Sequence, residues 1–524
     1  MRAADLAYDL DAERSRYAFP DVVRNGISLN RGTAEPAPAD SEPSGFTAVR
    51  EAHRAALVPS TLAADGPVVE LDRPATGVFV ASRRGVYLDL YQGVAQRLFD
   101  DARIAPRLAP VVDSGLLLHR EINTDDYIGF PPEGVHTPQE LAGLVTSEMR
   151  RAFPRPDGYR VFFSASGTEA VEAALKAATR AAYLRVRTRY GPETWATLCG
   201  ELGVGRDIAF ADEVWRDYPL FLVGLHGAFH GRTLGSLALT ESRPAQRIGF
   251  PSWRWVVHIS RNRPEEVHQV IDRRPLPELL AAPGGLQRTV AEGRVPIDLL
   301  AGAIFEPFQG EGGYHAPSVE VLSALRQVCD EAGALLIADE VQSFARGGAT
   351  FFAETQGVRP DIVCLAKAAI VGMTIMPAET AAGLEHGWHS NTLGSGRLFD
   401  VNYAYAQFDT FLNERDPLFA GLSFAENEAV KGEYLAAGLT RLAEAYPSVL
   451  SEPEGGGCLW GMSVASRGDF LTEGWRQGAK LIGAGASERP GRVRLILPAD
   501  VLTREIDVVL AVLGRTCAAL ATRS

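Results

Sequence analysis

Two apolar segments, ALLIADEVQ at 334–342 and DIVCLAK at 361–367, decide the fold that we predict for this chain. The apolar run of the first segment ends in Asp339, and the second segment ends in Lys367. Continuous apolar runs of this length are typical of buried parallel strands. Similar runs alternate with helical patterns at 161–163, 221–223 and 303–305. We therefore predict an α/β fold with a mostly parallel sheet that helices cover on both faces.

Asp339 and Lys367 are the first candidates for chemistry, because ligands of such sheets bind at the carboxyl ends of the strands. A lysine amine can form a Schiff base with an aldehyde cofactor, and a carboxylate can keep a pyridine nitrogen protonated. Apolar neighbours would lower the pKa of the Lys367 amine and prepare it for proton transfer. The alternatives are a surface lysine that extends from a helix and an aspartate that caps a helix or binds a metal.

A third motif, SASGTEA at 164–170, follows a strand-like run and begins a helical pattern that we expect to reach about Arg180. Backbone N–H groups at the start of a helix bind phosphate. Gly167 allows close approach, and the hydroxyls of Ser166 and Thr168 can donate hydrogen bonds. An ordinary helix cap is the alternative interpretation. Together with the aspartate and the lysine, this motif predicts pyridoxal phosphate as the cofactor.

The segment HGAFHGRT at 226–233 places an aromatic residue between glycines. Phe229 could stack on the face of a cofactor ring. His226 and His230 are four residues apart, but the glycines oppose a helix and no third ligand is evident. We therefore predict no metal site.

The composition is that of a soluble globular protein, with 46% apolar and 22% charged residues. A net charge of −13 opposes nonspecific binding to nucleic acid. No apolar run approaches the ~20 residues that cross a bilayer, and residues 1–30 lack the apolar core of a secretory signal. The five cysteines are scattered, as expected in a reducing compartment. We expect a cytoplasmic protein that binds neither nucleic acid nor membranes.

At 524 residues the chain is too long to fold around a single small hydrophobic core. The Pro-, Ala- and acid-rich stretch 31–45 predicts a flexible connector, so we assign residues 1–45 to an N-terminal extension and linker. Because residues 46–115 include short strand-like runs, we assign them to the N-terminal part of a small domain. We assign 116–395 to a large cofactor-binding domain and 396–524, with helical patterns at 426–445 and 502–521, to the C-terminal small domain.

These motifs resemble those of the class III pyridoxal-phosphate-dependent aminotransferases of fold type I. The matching blocks occur in the family's order and spacing, and they are SGTE (166–169), FHGRT (229–233), EPFQGEGG (306–313), DEVQ (339–342) and Lys367. The resemblance covers about residues 70–520. It implies a large domain with a mostly parallel seven-stranded sheet and a smaller α+β domain built from both termini. It also implies a homodimer with shared active sites.

The resemblance implies a role for each matching residue. Lys367 would form the Schiff base with the cofactor, and Asp339 would pair with the ring nitrogen. Phe229 would stack on the ring, and Gln342 would lie near the ring hydroxyl. The other expected cofactor contacts are Ser166, Gly167, Thr168, His230 and Glu306, with Thr392 reaching the phosphate from the partner subunit.

Two further matches concern the substrate. Arg494, in RVRLILP at 492–498, matches the arginine that clamps a substrate α-carboxylate, a task that suits a guanidinium fork. Its alternative is a strand-edge arginine in a solvated ion pair. Glu311 matches the switch glutamate of ω-amino-acid enzymes, which pairs with an active-site arginine while a terminal amine reacts and swings away for 2-oxoglutarate. The sequence does not identify that arginine.

Among subfamilies, the lysine 6-aminotransferases have the most similar pattern, at 227–232, 239–244 and 250–255. The resemblance thus implies ping-pong transfer of the terminal amine of a lysine-like diamino acid to a 2-oxo acid such as 2-oxoglutarate. An aminotransferase for another amine, or an aminomutase, decarboxylase or epimerase with the same cofactor, stays open. A regulatory homologue without cofactor is the alternative from another class, and the intact Asp339 and Lys367 count against it. Departures from the family pattern occur at 395–397 and 498–499, and 186–220 and 273–297 look like insertions.

Overall fold

The computed structural model describes residues 77–82, 85–99, 101–116, 131–206, 215–384, 397–416, 421–485 and 491–522. The strands, numbered β1 to β16 in chain order, are Phe79–Ser82, Gly85–Asp89, Tyr159–Ser164, Phe221–Leu225, Val256–Ile259, Ile271–Asp272, Val295–Pro296, Leu300–Phe305, Leu335–Asp339, Ile362–Leu365, Gly372–Pro377, Leu450–Gly456, Leu459–Val464, Ala479–Lys480, Ile482–Ala484 and Gly491–Ile496. The helices, numbered α1 to α14, are Asp101–Asp113, Pro138–Ala152, Gly167–Glu201, Leu234–Leu239, Pro264–Val270, Leu276–Ala281, Gly285–Ala291, Val319–Ala332, Phe352–Thr355, Ala378–Ala382, Leu398–Asn413, Phe424–Ala445, Arg467–Arg476 and Thr503–Ala521. Short helical turns lie at Gln92–Ala95, Pro244–Gln246, Ile297–Leu299 and Lys367–Ala369.

The central sheet has seven strands in the order β3-β11-β10-β9-β8-β4-β5. Strands β10, β9, β8, β4 and β5 pair in parallel, and β11 runs antiparallel to both β10 and β3. Strands β8 and β10 are buried along their whole length, which explains why their sequences are apolar without alternation. The predicted mostly parallel, seven-stranded sheet is confirmed.

Helix α3 begins directly after β3 and covers one face of the sheet. The Ser166 side chain accepts a hydrogen bond from the backbone N–H of Glu169 and caps the helix. The helix runs to Glu201 rather than ending near Arg180, because Trp195 and Leu198 continue its buried face beyond a break at Gly191. Part of the expected insertion 186–220 is therefore an extension of this helix.

Segments from both ends of the described chain build a second, smaller core. Phe79 and Leu88 share a hydrophobic cluster with Met462 and Val509. Strand β2 pairs with β1 on one side and β14 on the other, while β12-β13-β16-β15 forms a separate antiparallel sheet. Helices α12 and α14 occupy the places that the helical patterns predicted. The α+β unit built from both termini is thus present.

The limits of the predicted domains stay a prediction. Leu98, Ile104, Val401 and Phe408 pack in the larger cluster with the central sheet, although the predicted limits place them in the small domain. The extension and linker at 1–45 lie outside the described residues. Segment 273–297 contains α6 and α7.

The surface of the described segments exposes no native thiol. The chain has five cysteines, and all of them are free and buried. Burial raises the pKa of the thiols of Cys199 and Cys329 to about 12. In the described part of the chain, no helix combines the length and apolar content that crossing a membrane requires.

Candidate active site

The predicted motifs meet at the carboxyl edge of the central sheet. Residues 166–168 follow β3, residues 226–233 follow β4, and Glu306 follows β8. Asp339 ends β9, and Lys367 lies two residues after β10, which pairs in parallel with β9. The parallel topology therefore brings residues that are distant in sequence to one site, as expected for this class of sheet.

Lys367 has a strained backbone and a perturbed side chain. Its φ of 53° lies in the left-handed region, which non-glycine residues adopt rarely and often at functional sites. Burial and then the charge of Arg494 lower the pKa of its amine to about 8, against the opposing effects of Asp339, Glu306 and Glu311. The amine is thus easier to deprotonate than an ordinary lysine, as a nucleophile or proton carrier requires.

The side chains of Asp339 and His230 contact each other in the buried part of the site. The distance from His230 Nδ1 to Asp339 Oδ2 is 2.8 Å, and the two side chains are only 0% and 5% exposed. The other carboxylate oxygen accepts from the backbone N–H of Val341 at 3.1 Å, and the backbone N–H of His230 donates to Thr240 Oγ1 at 2.9 Å. Both groups are therefore fixed in place. His230 Nε2 is buried without a hydrogen-bond partner.

Glu306 ties two loops of the site together. Its Oε2 accepts from the backbone N–H of Phe229 at 2.8 Å, and its Oε1 accepts from that of Gly310 at 3.0 Å. Burial raises the pKa of this carboxyl group to about 7, with His230 acting in the opposite direction. Glu306 thus positions the loop that carries Phe229 relative to the loop that carries Glu311.

A hydroxyl cluster lies at the start of α3. Thr168 Oγ1 is 3.0 Å from Thr233 Oγ1 and 2.9 Å from Ser236 Oγ. Glu172 accepts from the Ser236 backbone N–H at 2.9 Å and also from the Thr233 hydroxyl. Glu172 is four residues after Thr168, so the two side chains share one helix face. This spacing is the signal in the sequence that could have identified Glu172. Thr233, Ser236 and Glu172 were not predicted.

Close packing around the helix start leaves no space for larger residues. A Cβ atom on Gly167 would lie 2.7 Å and 2.9 Å from the two methyl groups of Val341. A Cβ on Gly231, whose φ is 124°, would lie 2.1 Å from Thr168 Oγ1. The two glycines therefore bring the helix start, the end of β9 and the loop after β4 into contact.

The arrangement fits pyridoxal phosphate. A helix start has N–H groups without acceptors inside the helix, which suits a phosphate. A fixed carboxylate, Asp339, suits a pyridinium nitrogen, and the half-buried ring of Phe229 suits a stacked partner. The depressed pKa of Lys367 suits an aldehyde.

Gln342 lies against a tyrosine that the sequence analysis did not identify. Gln342 Nε2 donates to Tyr314 Oη at 3.0 Å. Tyr314 is fully buried with a φ of 59°, and the Arg494 guanidinium lies 5.2 Å from the centre of its ring. Burial raises the pKa of the Tyr314 hydroxyl well above its usual range. Tyr314 thus connects the predicted cofactor contact with the predicted substrate contact.

Glu311 lies between two arginines. Arg494 Nη2 donates to Glu311 Oε1 at 2.6 Å, and Arg243 Nη2 is 3.4 Å from Glu311 Oε2. Burial opposes ionisation, but the two arginines hold the pKa of Glu311 below its usual value. The pairing identifies Arg494 as the arginine nearest the predicted switch glutamate. Arg243 was not predicted, because only the folded loops bring it near Glu311.

Two further predictions from the sequence concern Thr392 and the histidines His226 and His230. Thr392 lies outside the described residues. His226 and His230 point to different partners, Glu241 and Asp339. Within the described ranges, no group of three or more His, Cys, Asp or Glu residues could hold a metal ion.

Residues 133–515 match the sequence model of the class III aminotransferases. A putrescine aminotransferase from Pectobacterium atrosepticum is 31% identical over 329 residues, which are 61% of this chain and 57% of that protein. The chain thus spans somewhat over half the length of that relative. An acetylornithine aminotransferase from Thermosynechococcus vestitus is 30% identical over 373 residues, which are 70% of this chain and 76% of that protein.

Solved structures share the fold. A lysine aminotransferase from M. tuberculosis superposes with a TM-score of 0.64 and 24% identity, covering 91% of this chain and 99% of that one. An ornithine aminotransferase from Toxoplasma gondii superposes with a TM-score of 0.65 and 18% identity, covering 97% of this chain and all of that one. At these identities the likeness concerns the fold alone.

Proposed function

The chain belongs to the class III aminotransferases, a family of pyridoxal-phosphate-dependent enzymes, and we propose that it transfers a terminal amine to a 2-oxo acid. The donor is a lysine-like diamino acid, and the acceptor is 2-oxoglutarate or a similar 2-oxo acid. The observation that carries this proposal is the Glu311–Arg494 pair, whose charges both act on the Lys367 amine. Arg494, whose charge Glu311 neutralises next to the reactive lysine, suits an enzyme that alternates between two kinds of substrate.

Each site residue has a task toward the cofactor. When bound, pyridoxal phosphate supplies an aldehyde that condenses with amines and a ring that accepts electron density. Asp339, held by His230, would pair with the ring nitrogen, and Phe229 would stack on the ring. The phosphate would lie at the start of α3, against Ser166, Gly167 and Thr168, as the helix start and its hydroxyls favour.

Lys367 would carry the protons of the reaction. Its pKa of about 8 leaves part of the amine neutral near neutral pH, so Nζ can take a proton from one substrate carbon and return it to another atom. The left-handed backbone at this position fixes the start of the side chain next to the end of β9.

Glu311 and Arg494 would select the substrates. While Glu311 neutralises Arg494, this buried guanidinium is not available to the α-carboxylate of a donor, so the donor reacts through its terminal amine. When Glu311 leaves, Arg494 can bind the α-carboxylate of the acceptor by a forked hydrogen-bond pair. Lysine as the donor rests on the sequence motifs that resemble the lysine 6-aminotransferases.

The enzyme acts as a homodimer in this proposal. Leu234, Ile248 and Phe250 are 56%, 74% and 59% exposed in the single chain, and Leu234 lies next to the hydroxyl cluster. Exposed apolar side chains beside a site suit a subunit contact. Thr392 of the partner subunit would reach the phosphate there. The acidic composition and scattered cysteines support a cytoplasmic location.

The experiment that tests the function follows amine transfer from L-lysine to 2-oxoglutarate. Purified enzyme with pyridoxal phosphate should form L-glutamate in proportion to the lysine consumed. Product formed without an acceptor would instead indicate an aminomutase, decarboxylase or epimerase. Transfer from L-ornithine or putrescine but not from lysine would keep the reaction and change the donor.

Replacement of the switch glutamate should redirect the enzyme toward α-amino donors. In Glu311→Gln the charge of Arg494 is no longer neutralised. We therefore expect kcat/KM for L-lysine to fall about tenfold. Reactivity of the α-amine of L-glutamate should rise relative to wild type. Equal losses for lysine and glutamate would contradict the switch role.

A further inference from the structure

Glu311 contacts one buried arginine and one half-exposed arginine. The Arg494 side chain is 2% exposed, whereas that of Arg243 is 46% exposed. The Glu311 carboxylate bridges them, with one oxygen toward each guanidinium. If the carboxylate leaves Arg494, its second partner is therefore already within reach.

Arg494 cannot follow a departing carboxylate. It lies on β16, which pairs with β13 on one side and β15 on the other. Its guanidinium lies against the ring of Tyr314, and its Nε is buried without a hydrogen-bond partner. The arginine thus has unused donor capacity at a fixed position, as a binding site for an incoming carboxylate requires.

The backbone of Glu311 is also fixed. The loop that carries it is closed by hydrogen bonds between Gln309 and His315, and the Glu311 carbonyl accepts from the Gly485 N–H at 3.0 Å. A Cβ atom on Gly312 would lie 2.3 Å from the Gly227 carbonyl oxygen, so this part of the loop packs closely against the loop after β4. Release of Arg494 must therefore come from rotation of the Glu311 side chain.

We propose that Arg243 is the positioning residue that receives the Glu311 carboxylate when an acceptor carboxylate binds Arg494. The inference rests on the proposed function and assigns a second arginine to its switch. The backbone next to Arg243 is anchored, because the Ser242 N–H donates to the Ala228 carbonyl at 3.0 Å. Its exposed side chain can still change rotamer rapidly, so it can follow the carboxylate.

Charge explains why the second arginine matters. Two guanidiniums and one carboxylate carry a net charge of about +1 in either arrangement. While Glu311 pairs with Arg494, the unmatched positive charge lies at the exposed Arg243. When Glu311 pairs with Arg243, the unmatched charge lies at the buried Arg494, where the acceptor carboxylate neutralises it. Without Arg243, the released Glu311 would stand unpaired next to that incoming carboxylate, an unfavourable contact of like charges.

The test separates the two half-reactions. In Arg243→Gln we expect kcat/KM for 2-oxoglutarate with the aminated enzyme to fall about tenfold. The loss in kcat/KM for the amine donor should be several times smaller than the loss for 2-oxoglutarate. Arg243→Lys should recover most of the acceptor rate. Arg247→Gln removes the same charge from a nearby arginine whose described side-chain contact is with Ser252, and it should behave like wild type.

A binding measurement makes the test independent of turnover. Calorimetric titration of the protein with glutarate, an unreactive dicarboxylate, should show about tenfold weaker binding in Arg243→Gln than in Arg247→Gln. In the background of Glu311→Gln, substitution of Arg243 should have no further effect, because its partner is gone. Equal losses in both half-reactions, unchanged glutarate binding, or an undiminished effect in the double variant would overturn the inference.

The wild-type enzyme distinguishes this inference from the proposed function. If wild type transfers no amine to any 2-oxo acid, the proposed function fails and the inference fails with it. If wild type transfers amine from lysine or another donor and Arg243→Gln matches Arg247→Gln, only the inference fails.

Discussion

At the scale of single residues, the site depends on side chains whose ionisation the fold has changed. Burial and Arg494 lower the pKa of the Lys367 amine, and burial raises the pKa of Glu306. Both residues lie at the carboxyl edge of the sheet, where several charges meet in a partly dry space. Such perturbed groups are typical of functional sites, since catalysis needs groups that exchange protons near neutral pH.

The Lys367 amine should react with acylating reagents at lower pH than an ordinary lysine. Competitive labelling of the cofactor-free protein with trace acetic anhydride, resolved by peptide mass spectrometry, should give a reactivity midpoint at about pH 8. A free model amine titrates near ~10.4 and serves as the reference. Removal of the nearby negative charge in Asp339→Asn should lower the midpoint further. A midpoint equal to that of the model amine would contradict the structure.

Two of the residues predicted from sequence lie where buried strands end. Asp339 and Lys367 were predictable because a polar residue after a buried strand must lie at the sheet edge. Arg243 and Tyr314 were not, because their positions depend on how two loops close on each other. The glutamate was expected to have an arginine partner, and only the fold identified Arg494 and Arg243 as the arginines in contact with it.

At the scale of elements, the start of α3 is the most constrained junction. The helix begins one residue after its cap, between β3 and the end of β9, and only glycine fits at its first position. This helix start was predicted from the capping residue Ser166 and from Gly167. The sequence did not predict the length of the helix, which continues past the expected end near Arg180 and past the break at Gly191 because residues beyond them are buried.

Gly167→Ala should weaken cofactor binding without unfolding the protein. The added methyl group would press on Val341 and move the helix start away from the strand end, at a cost of about 1–3 kcal/mol. We expect about tenfold weaker binding of pyridoxal phosphate in a fluorescence titration. Gly200→Ala, in the last turn of the same helix, meets no atom within 4 Å and is the matched control. Equal affinities in the two variants would show that the contact is unimportant.

At the scale of the whole molecule, a buried polar junction connects the two hydrophobic clusters. Glu428 on α12 accepts from the backbone N–H of Cys458 at 3.3 Å and of Gly348 at 3.4 Å. Next to it, the fully buried Arg346 donates to the carbonyls of Leu497 and Arg97. The junction thus joins the loop after β9 to the C-terminal sheet. Sequence patterns could not reveal it, since its members are far apart along the chain.

Burial raises the pKa of Glu428 to about 7 from an unfolded value near 4.5. The folded protein therefore holds this proton more tightly than the unfolded chain does. The resulting stabilisation is complete below the unfolded pKa and is lost as the pH rises through about 7.

Glu428→Gln should remove this dependence on pH. Relative to wild type, the free energy of unfolding of the variant should increase by about 2–3 kcal/mol between about pH 4.5 and pH 8. Urea denaturation of the cofactor-free protein at both pH values measures the change. Glu433→Gln, at an exposed position on the same helix, is the control and should follow wild type. A parallel pH dependence in wild type and Glu428→Gln would show that folding does not raise the pKa of this carboxyl group.

The burial of all five cysteines makes the chain suitable for site-specific attachment of dyes. A thiol introduced at Ala245, which is exposed two residues after Arg243, would be far more reactive toward maleimide than any of the native cysteines. A fluorophore at that position would sense the neighbouring guanidinium as it moves. The same attachment would allow the alternation between two substrates that we propose to be followed in single molecules.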